Sequence, residues 1–376
     1  MNKIILFLLC FLLGSSFSTF AQGRDREIKI SRQQESPVKT VKVRGKRKIK
    51  NVVFMIGDGM SLAHMYSTWA ANKGKLNLEN CQTVGLAKTY CCDRLITDSG
   101  AAGTALATGH KTRYHAVGVD PEGKPLLTLT DLAAAKSKST GVVVTCRLND
   151  ATPAAFCAHN SDRDQAEALI ADYAGCGVDF IFGGGKRYFC ERKDGRNILE
   201  EMKALGYQTP ENQEQLNAIQ TGKVLAVWAD HDLPRPSVRK EMLTESTMKA
   251  LELLSQNKKG FFLMVEASQI DDYGHANQLD PLVEEILDFD RTIGRIFEWA
   301  AQDGETLVVV TADHETGGLT LVDGDLNEGR IVCKFSTGGH SGVMVPVYAF
   351  GPGAENFTGI FENTDIFWKI KKLLNL

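Results

Sequence analysis

Seven short runs along the chain are apolar and rich in β-branched residues: 51–56, 141–145, 178–182, 224–228, 261–265, 306–310 and 345–350. None alternates apolar with polar positions. That pattern predicts strands buried on both faces. Between them the period lengthens. Val283, Ile286, Leu287, Ile293, Ile296, Phe297 and Ala300 recur at near-helical spacing, 162–174 reads as a second helix, and 365–374 as a last one capped by Thr364. Buried strands alternating with helices predict an α/β fold, a three-layer α/β/α sandwich around a large, mostly parallel central sheet. Residues 187–240 read as a small insertion that is not a separate domain.

The N-terminus follows a different pattern. Lys3 precedes a short apolar run, Ile4 to Leu13, and Thr19 and Ala21 occupy the −3 and −1 positions of a cleavage site. The run is shorter than the ~20 residues a spanning helix needs. Residues 1–21 therefore read as a signal peptide, and the protein as exported, periplasmic or secreted, after cleavage near Ala21. Cys10 lies inside the apolar run without the small residues that would precede a lipidated cysteine. Residues 22–48 read as a flexible basic lead, and patterned chain begins at 49. Residues 24–50 carry eleven Lys/Arg against three Asp/Glu, so the formal charge of −3 hides an acidic body. An acidic body argues against nucleic acid as a specific partner. Nine cysteines match no zinc-finger spacing. Cys176 with Cys190, and Cys91 or Cys92 with Cys81, are candidate bridges, weighed against mostly free buried thiols.

Chemistry gathers at the carboxyl ends of the predicted strands, where sheets of this kind bind ligands. Asp58 follows the first strand, Asp150 and Thr152 the second, Glu266 ends the fifth, and Asp313 and His314 follow the sixth. Ser99 opens a run of small residues that would pack as a tight helix, placing its hydroxyl at a helix N-terminus suited to phosphate. Taken alone, that stretch reads as well as a simple N-cap. No histidine stands beside Ser99 in the manner of a Ser-His-Asp triad, which leaves metal coordination as the route to an activated hydroxyl. Asp271 and His275, four apart, would share one helix face. Asp313-His314 is a second carboxylate–imidazole pair, and His340 lies in a Gly-rich loop. Such sets suit zinc with open positions. His64, His110, His115, His159 and His231 read as core or surface residues.

Together these motifs resemble the alkaline phosphatase family: Asp58-Gly59, Asp98-Ser99, Asp150-Ala151-Thr152-Pro153, Arg163, the stretch from Glu266 to His275, Asp313-His314-Glu315, and His340, in order from about residue 50 to the C-terminus. The resemblance implies hydrolysis of phosphate monoesters through a phosphoserine on Ser99, assisted by two zinc ions and one magnesium. It implies that Asp271, His275 and His340 hold one zinc and Asp58, Asp313 and His314 the other. Asp58 would extend to a magnesium shared with Thr152 and Glu266. Arg163 would grip the phosphate oxygens. A homodimer is common in that family.

This sequence has its own features within that resemblance. The position after Asp271, often Lys, His or Trp, is Asp272, which would repel phosphate. Asp150 is the acidic variant of a second outer position and would favour magnesium through its bound waters. Short segments after Arg163 and after His314 imply a reduced crown over the site and broad substrate tolerance. Two other classes fit the sequence less well. A diesterase or sulfatase would carry a different nucleophile motif, and a non-catalytic zinc- or phosphate-binding protein would have no need of Ser99 and Arg163 beside intact metal positions.

Overall fold

The computed structural model describes residues 25–30, 38–42, 48–81 and 83–376. The signal-peptide reading, and most of the basic lead, lie outside them. All seven apolar runs form strands in one sheet. In spatial order the sheet contains Gly359–Glu362, Thr83–Lys88, Val345–Phe350, Thr306–Thr311, Asn51–Gly57, Phe261–Ala267, Ser139–Arg147, Phe180–Gly184, Lys223–Val227 and Tyr207–Gln208. Pairing is parallel from Thr306–Thr311 through Tyr207–Gln208. Val345–Phe350 runs antiparallel to both its neighbours. The central strands Asn51–Gly57 and Phe261–Ala267 are buried at every position, which is why their sequences show no alternation.

Helices Met242–Leu254, Leu279–Asp303 and Leu62–Ala71 pack together as one layer; Ser99–Thr108, Leu129–Ala135 and Asn363–Leu374 form another. The 25-residue helix Leu279–Asp303 buries the apolar stripe read from its spacing. Its buried face also holds Glu285 and Asp288, which clamp the fully buried Arg239 at 2.7 and 2.8 Å. Residues 187–240 supply the edge strand Tyr207–Gln208 and its neighbour Lys223–Val227 to the main sheet, with short helices that include Ile198–Ala204, Gln213–Ala218 and Pro236–Arg239. No described helix is long and apolar enough to cross a membrane.

Several local expectations are corrected. The last helix starts at Asn363, and its N-cap is Glu362, not Thr364: Asp365 accepts from the Glu362 N–H at 3.1 Å, two residues earlier than the threonine would place the cap. The helix read at 162–174 begins at Ala166, because Asp162 accepts from the Asp164 N–H and makes a turn first. Within the lead read as flexible, Arg26–Lys29 pairs antiparallel with Arg330–Phe335, burying Ile28. All eight described cysteines are free. Cys190 donates its thiol to the Lys186 carbonyl at 3.1 Å, and Cys91 turns to Asp93, so neither candidate bridge is formed.

Candidate functional site

Three strand ends and two helix starts converge on one cleft. Asp58 follows Asn51–Gly57, Glu266 is the penultimate residue of strand Phe261–Ala267, and Asp313 and His314 follow Thr306–Thr311. All four are buried. Asp271 and His275 lie on helix Gln269–His275. Ser99 is the first residue of helix Ser99–Thr108, whose cap is Asp98: its carboxylate accepts from the Gly100 and Ala101 N–H groups. The small residues of that helix allow close approach. A Cβ on Gly103 would stand 3.3 Å from the Thr152 Cα, so the Ser99 helix and the Thr152 turn pack directly.

Two ligand clusters form. In the first, His275 Nε2 lies 3.1 Å from His340 Nε2 and 3.2 Å from Asp271 Oδ2. In both rings Nδ1 faces a backbone carbonyl, Gly338 at 2.7 Å for His275 and Thr97 at 2.8 Å for His340. A carbonyl only accepts, so Nδ1 carries the proton and, in the neutral rings, both Nε2 lone pairs point inward. Two lone pairs and a carboxylate aimed at one point are a cation's donor set. In the protein alone a proton balances them. His275 is pushed up to about 9 by its hydrogen bond to Asp271, against its burial, while burial and the neighbouring His314 push His340 down to about 4.

The second cluster is Asp58, Asp313 and His314, all buried. His314 Nε2 stands 3.1 Å from Asp313 Oδ2, 3.5 Å from Asp58 Oδ1 and 3.2 Å from Ser99 Oγ. Its Nδ1 lies 3.2 Å from Thr316 Oγ1. The Thr316 hydroxyl donates to Asp271 Oδ1, so it accepts from Nδ1–H, and the Nε2 lone pair again points inward. Thr316 thereby joins the two clusters. Sequence reasoning missed it, because a threonine two residues beyond a ligand carries no signal of its own. The backbone closes tightly here: a Cβ on Gly59, which has φ +72°, would meet Thr316 Oγ1 at 2.8 Å and the Asp271 Cα at 3.0 Å.

Contrary to expectation, Ser99 does have an imidazole within hydrogen-bond reach. A Ser–His dyad nevertheless fits poorly. His314 Nδ1 is held by a hydroxyl instead of a carboxylate, and two carboxylate oxygens crowd the same Nε2 lone pair that would take the serine proton.

A third group of donors is made of oxygen. Asp58 Oδ1, Thr152 Oγ1, Glu266 Oε1 and Asp313 Oδ2 are buried without a hydrogen-bond partner among the described residues. Each orphaned acceptor costs about 1–3 kcal/mol. Burial first, then the neighbouring carboxylates Asp313, Asp271, Glu266 and Asp150, raises the Asp58 carboxyl far above its usual range. Burial and then Asp150 and Asp313 do the same to Glu266. Such crowding of hard acceptors fits a hard cation such as magnesium, and the imidazole sets fit zinc. The donor sets present are of the kind that holds metal ions.

Arg163 spans the cleft wall. Its Nη1 donates to Asp98 Oδ2 and its Nη2 to Asp150 Oδ1, both at 3.0 Å. Burial alone would lower its pKa, but Asp150 and Asp98 hold it above the usual value. Asp150 is also gripped by Arg147 at 3.2 Å. Asp272 stands at the rim, where loss of hydration and then the charges of Asp271, Asp232 and Asp150 push its carboxyl up to about 7. Of the histidines read as unremarkable, half-buried His115 joins half-buried Asp162 and exposed Asp164 in a group beside Arg163. A cavity of about 540 Å³, walled by Arg94, Leu95, Ile96, Thr97, Tyr114, His275, Gly339 and His340, opens beside the first cluster.

A family model described as alkaline phosphatase matches residues 49–333. Alkaline phosphatase 4 of Bacillus subtilis (strain 168) is 34% identical, over 90% of this chain and 92% of its own. The alkaline phosphatase of Escherichia coli (strain K12) is 30% identical over 87% and 86%. Among solved structures, the alkaline phosphatase from the Antarctic bacterium TAB5 superposes with a TM-score of 0.84 at 38% identity, covering 88% of this chain and 99% of that one.

Proposed function

The chain belongs to the alkaline phosphatase family and is a phosphoric monoester hydrolase, and from that premise we propose that it cleaves small phosphate monoesters through a phosphoserine on Ser99, with two zinc ions and one magnesium bound by its clustered donors. Asp271, His275 and His340 would hold one zinc, and Asp58, Asp313 and His314 the other. Asp58, Thr152 and Glu266 would hold the magnesium, with Asp150 orienting its waters. A mutant of the TAB5 enzyme with Asp in place of a His has magnesium in its M3 site, a precedent for a hard cation in a related protein.

When bound, such cations supply Lewis acidity that favours the deprotonated hydroxyl and water and stabilises charge on a leaving oxygen. The chain's own residues do the rest. The Asp98 cap fixes the first turn of the Ser99 helix, so the hydroxyl points at the His314 side of the cleft. Arg163, held as a planar fork by Asp98 and Asp150, presents its remaining N–H groups to the equatorial phosphate oxygens, where transition-state charge spreads. Ser99 attacks in line and the alcohol departs. Water then cleaves the phosphoserine from the vacated side and releases inorganic phosphate. The cavity beside His340 gives the leaving group apolar walls from Leu95 and Ile96 beside the polar Arg94, Thr97 and Tyr114, a mixed lining that supports broad tolerance. Consistent with its N-terminus, the protein would act outside the cytoplasm.

One observation carries this reading: Ser99 Oγ, at a helix N-terminus, lies 3.2 Å from an imidazole nitrogen that two buried carboxylates also face. Comparing an aryl phosphate with an aryl phosphodiester, with and without chelator, tests it. Monoester cleavage that chelator abolishes is expected. Preference for the diester, or metal-loaded protein without turnover, would reject it.

A further inference from the structure

Two arginines and three carboxylates run in one line from the insertion to the Ser99 helix. Asp232 lies in the loop after Lys223–Val227, and Arg147 ends strand Ser139–Arg147. The Arg147 N–H donates to Asp232 Oδ1 at 2.8 Å, and its Nη1 donates to both Asp232 carboxylate oxygens, at 3.2 and 3.0 Å. Its Nη2 lies 3.2 Å from Asp150 Oδ2. The other Asp150 oxygen, Oδ1, accepts from the Ala151 N–H at 2.7 Å and from Arg163 Nη2 at 3.0 Å. Arg163 Nη1 then reaches Asp98, the cap of the Ser99 helix. Each oxygen of Asp150 is held by a different arginine, so the carboxylate cannot turn without breaking one of these contacts.

Backbone anchors the far end of this line. On one side of Asp232 the His231 carbonyl accepts from the Gly185 N–H at 2.9 Å, and on the other the Leu233 N–H donates to the Thr145 carbonyl at 2.9 Å. Neither bond involves the Arg147 side chain, so the loop keeps Asp232 in place independently of it. Arg147 needs that anchor. A long side chain loses much rotamer freedom when held in one geometry. With Nη1 already seated on Asp232, the planar fork loses little more in placing Nη2 on Asp150. Burial would lower the pKa of the Arg147 guanidinium, but Asp150 and then Asp232 hold it above the usual value.

Resting on the phosphatase reading above, we propose that Arg147 and Asp232 are positioning residues for phosphate recognition. Asp232 seats Arg147, Arg147 fixes Asp150, and Asp150 with Asp98 aims the Arg163 fork at the phosphoryl oxygens. Both act through Arg163 and not through their own contact with phosphate. Through Asp232 the insertion at 187–240 contributes to the site. A guanidinium free to swing on one carboxylate spends less time aligned with the oxygens it must meet. The aligned fork grips phosphate before transfer as well as during it, so its loss is carried by KM more than by kcat.

The test uses the metal-loaded mature protein, with calorimetric titration of inorganic phosphate beside aryl phosphate kinetics. Arg147→Met should weaken phosphate binding and raise KM about three- to tenfold, the worth of one ordinary hydrogen bond, with kcat within about twofold and bound metal unchanged. Asp232→Asn, a gentler variant that keeps an acceptor for the Arg147 N–H, should shift both quantities in the same direction. The two losses should not add, because Asp232 acts through Arg147. In an Arg163→Ala background, Arg147→Met should change kcat/KM by less than about twofold. An undiminished loss in that background would mean that Arg147 attracts phosphate by its own charge and would overturn the proposal. So would phosphate binding within about twofold of wild type in both variants of an enzyme that cleaves monoesters normally. Wild-type enzyme with no monoester cleavage would instead reject the phosphatase reading, and this proposal with it.

Discussion

Replacing Thr316 with Val tests whether the two ligand clusters work as one unit. The Thr316 hydroxyl donates to Asp271 Oδ1 and accepts from His314 Nδ1, so one ligand of each cluster depends on it. Valine keeps the volume but places a methyl against a buried carboxylate oxygen and leaves the His314 N–H without its acceptor. A hydrogen bond to a charged group is worth about 1.5–3 kcal/mol, or roughly tenfold to a hundredfold in an equilibrium constant at about 1.4 kcal/mol per tenfold. That agrees with the ~10–100-fold cost usual for losing a partner behind a metal ligand. The assay is metal retention. Wild-type and Thr316→Val proteins, loaded with zinc and magnesium, are dialysed against graded chelator, and bound metal and aryl phosphatase activity are measured in parallel. The variant should release zinc at a chelator concentration about 10–100-fold lower, with far-ultraviolet circular dichroism unchanged, and Thr316→Ser should restore most of the retention. Zinc release within twofold of wild type (~0.4 kcal/mol), or a serine variant as weak as the valine one, would refute the reasoning.

Three further outcomes follow from the same geometry. Ser99→Ala should lose at least ~99.9% of turnover, about 4 kcal/mol of barrier, while retaining its metals, since Ser99 stands beside the ligands without supplying their imidazoles or carboxylates; elemental analysis beside the rate assay checks this, and loss of metal would contradict it. Asp272→Lys should lower the inhibition constant for inorganic phosphate, because an anionic rim becomes cationic; an unchanged or higher constant would show that Asp272 does not face the product. In the core, Arg239→Met should destabilise the fold by about 3–5 kcal/mol in urea melts, because Glu285 and Asp288 lose their buried partner. Adding Glu285→Leu should recover much of that loss, Asp288 keeping Arg291 at 3.0 Å, and a single mutant costing under ~1 kcal/mol would contradict the network.

How legible the molecule was in its sequence depended on burial. Strands such as Phe261–Ala267 are covered on both faces, so their sequences carry an unbroken apolar run. Thr83–Lys88 alternates between buried and exposed positions and Gly359–Glu362 is mostly uncovered, so neither resembled the central strands. Leu319–Asp325 and Arg330–Phe335 form a smaller sheet, held partly by a segment of the lead that composition alone made look unstructured. Carboxylates and imidazoles at strand ends were legible because their types and positions combine. Thr316 and the Ser99–His314 contact were not, since each is made by side-chain directions or long-range closure that no periodicity encodes. Arg163 was identified only through family resemblance; its bridging of Asp98 and Asp150 emerges from the folded chain.

Trapping the covalent intermediate tests the central claim most directly. Metal-loaded enzyme is mixed with an aryl phosphate, quenched in acid within the first turnovers and digested, and the peptide spanning Ser99 is weighed. A mass increase of one phosphoryl group, about 80 Da for a group of roughly −1.5 to −2 charge at pH 7, localised to Ser99 and absent from Ser99→Ala and from chelator-treated protein, is the predicted result. Full turnover with no phosphorylated Ser99, or with the phosphoryl group on another residue, would contradict the account.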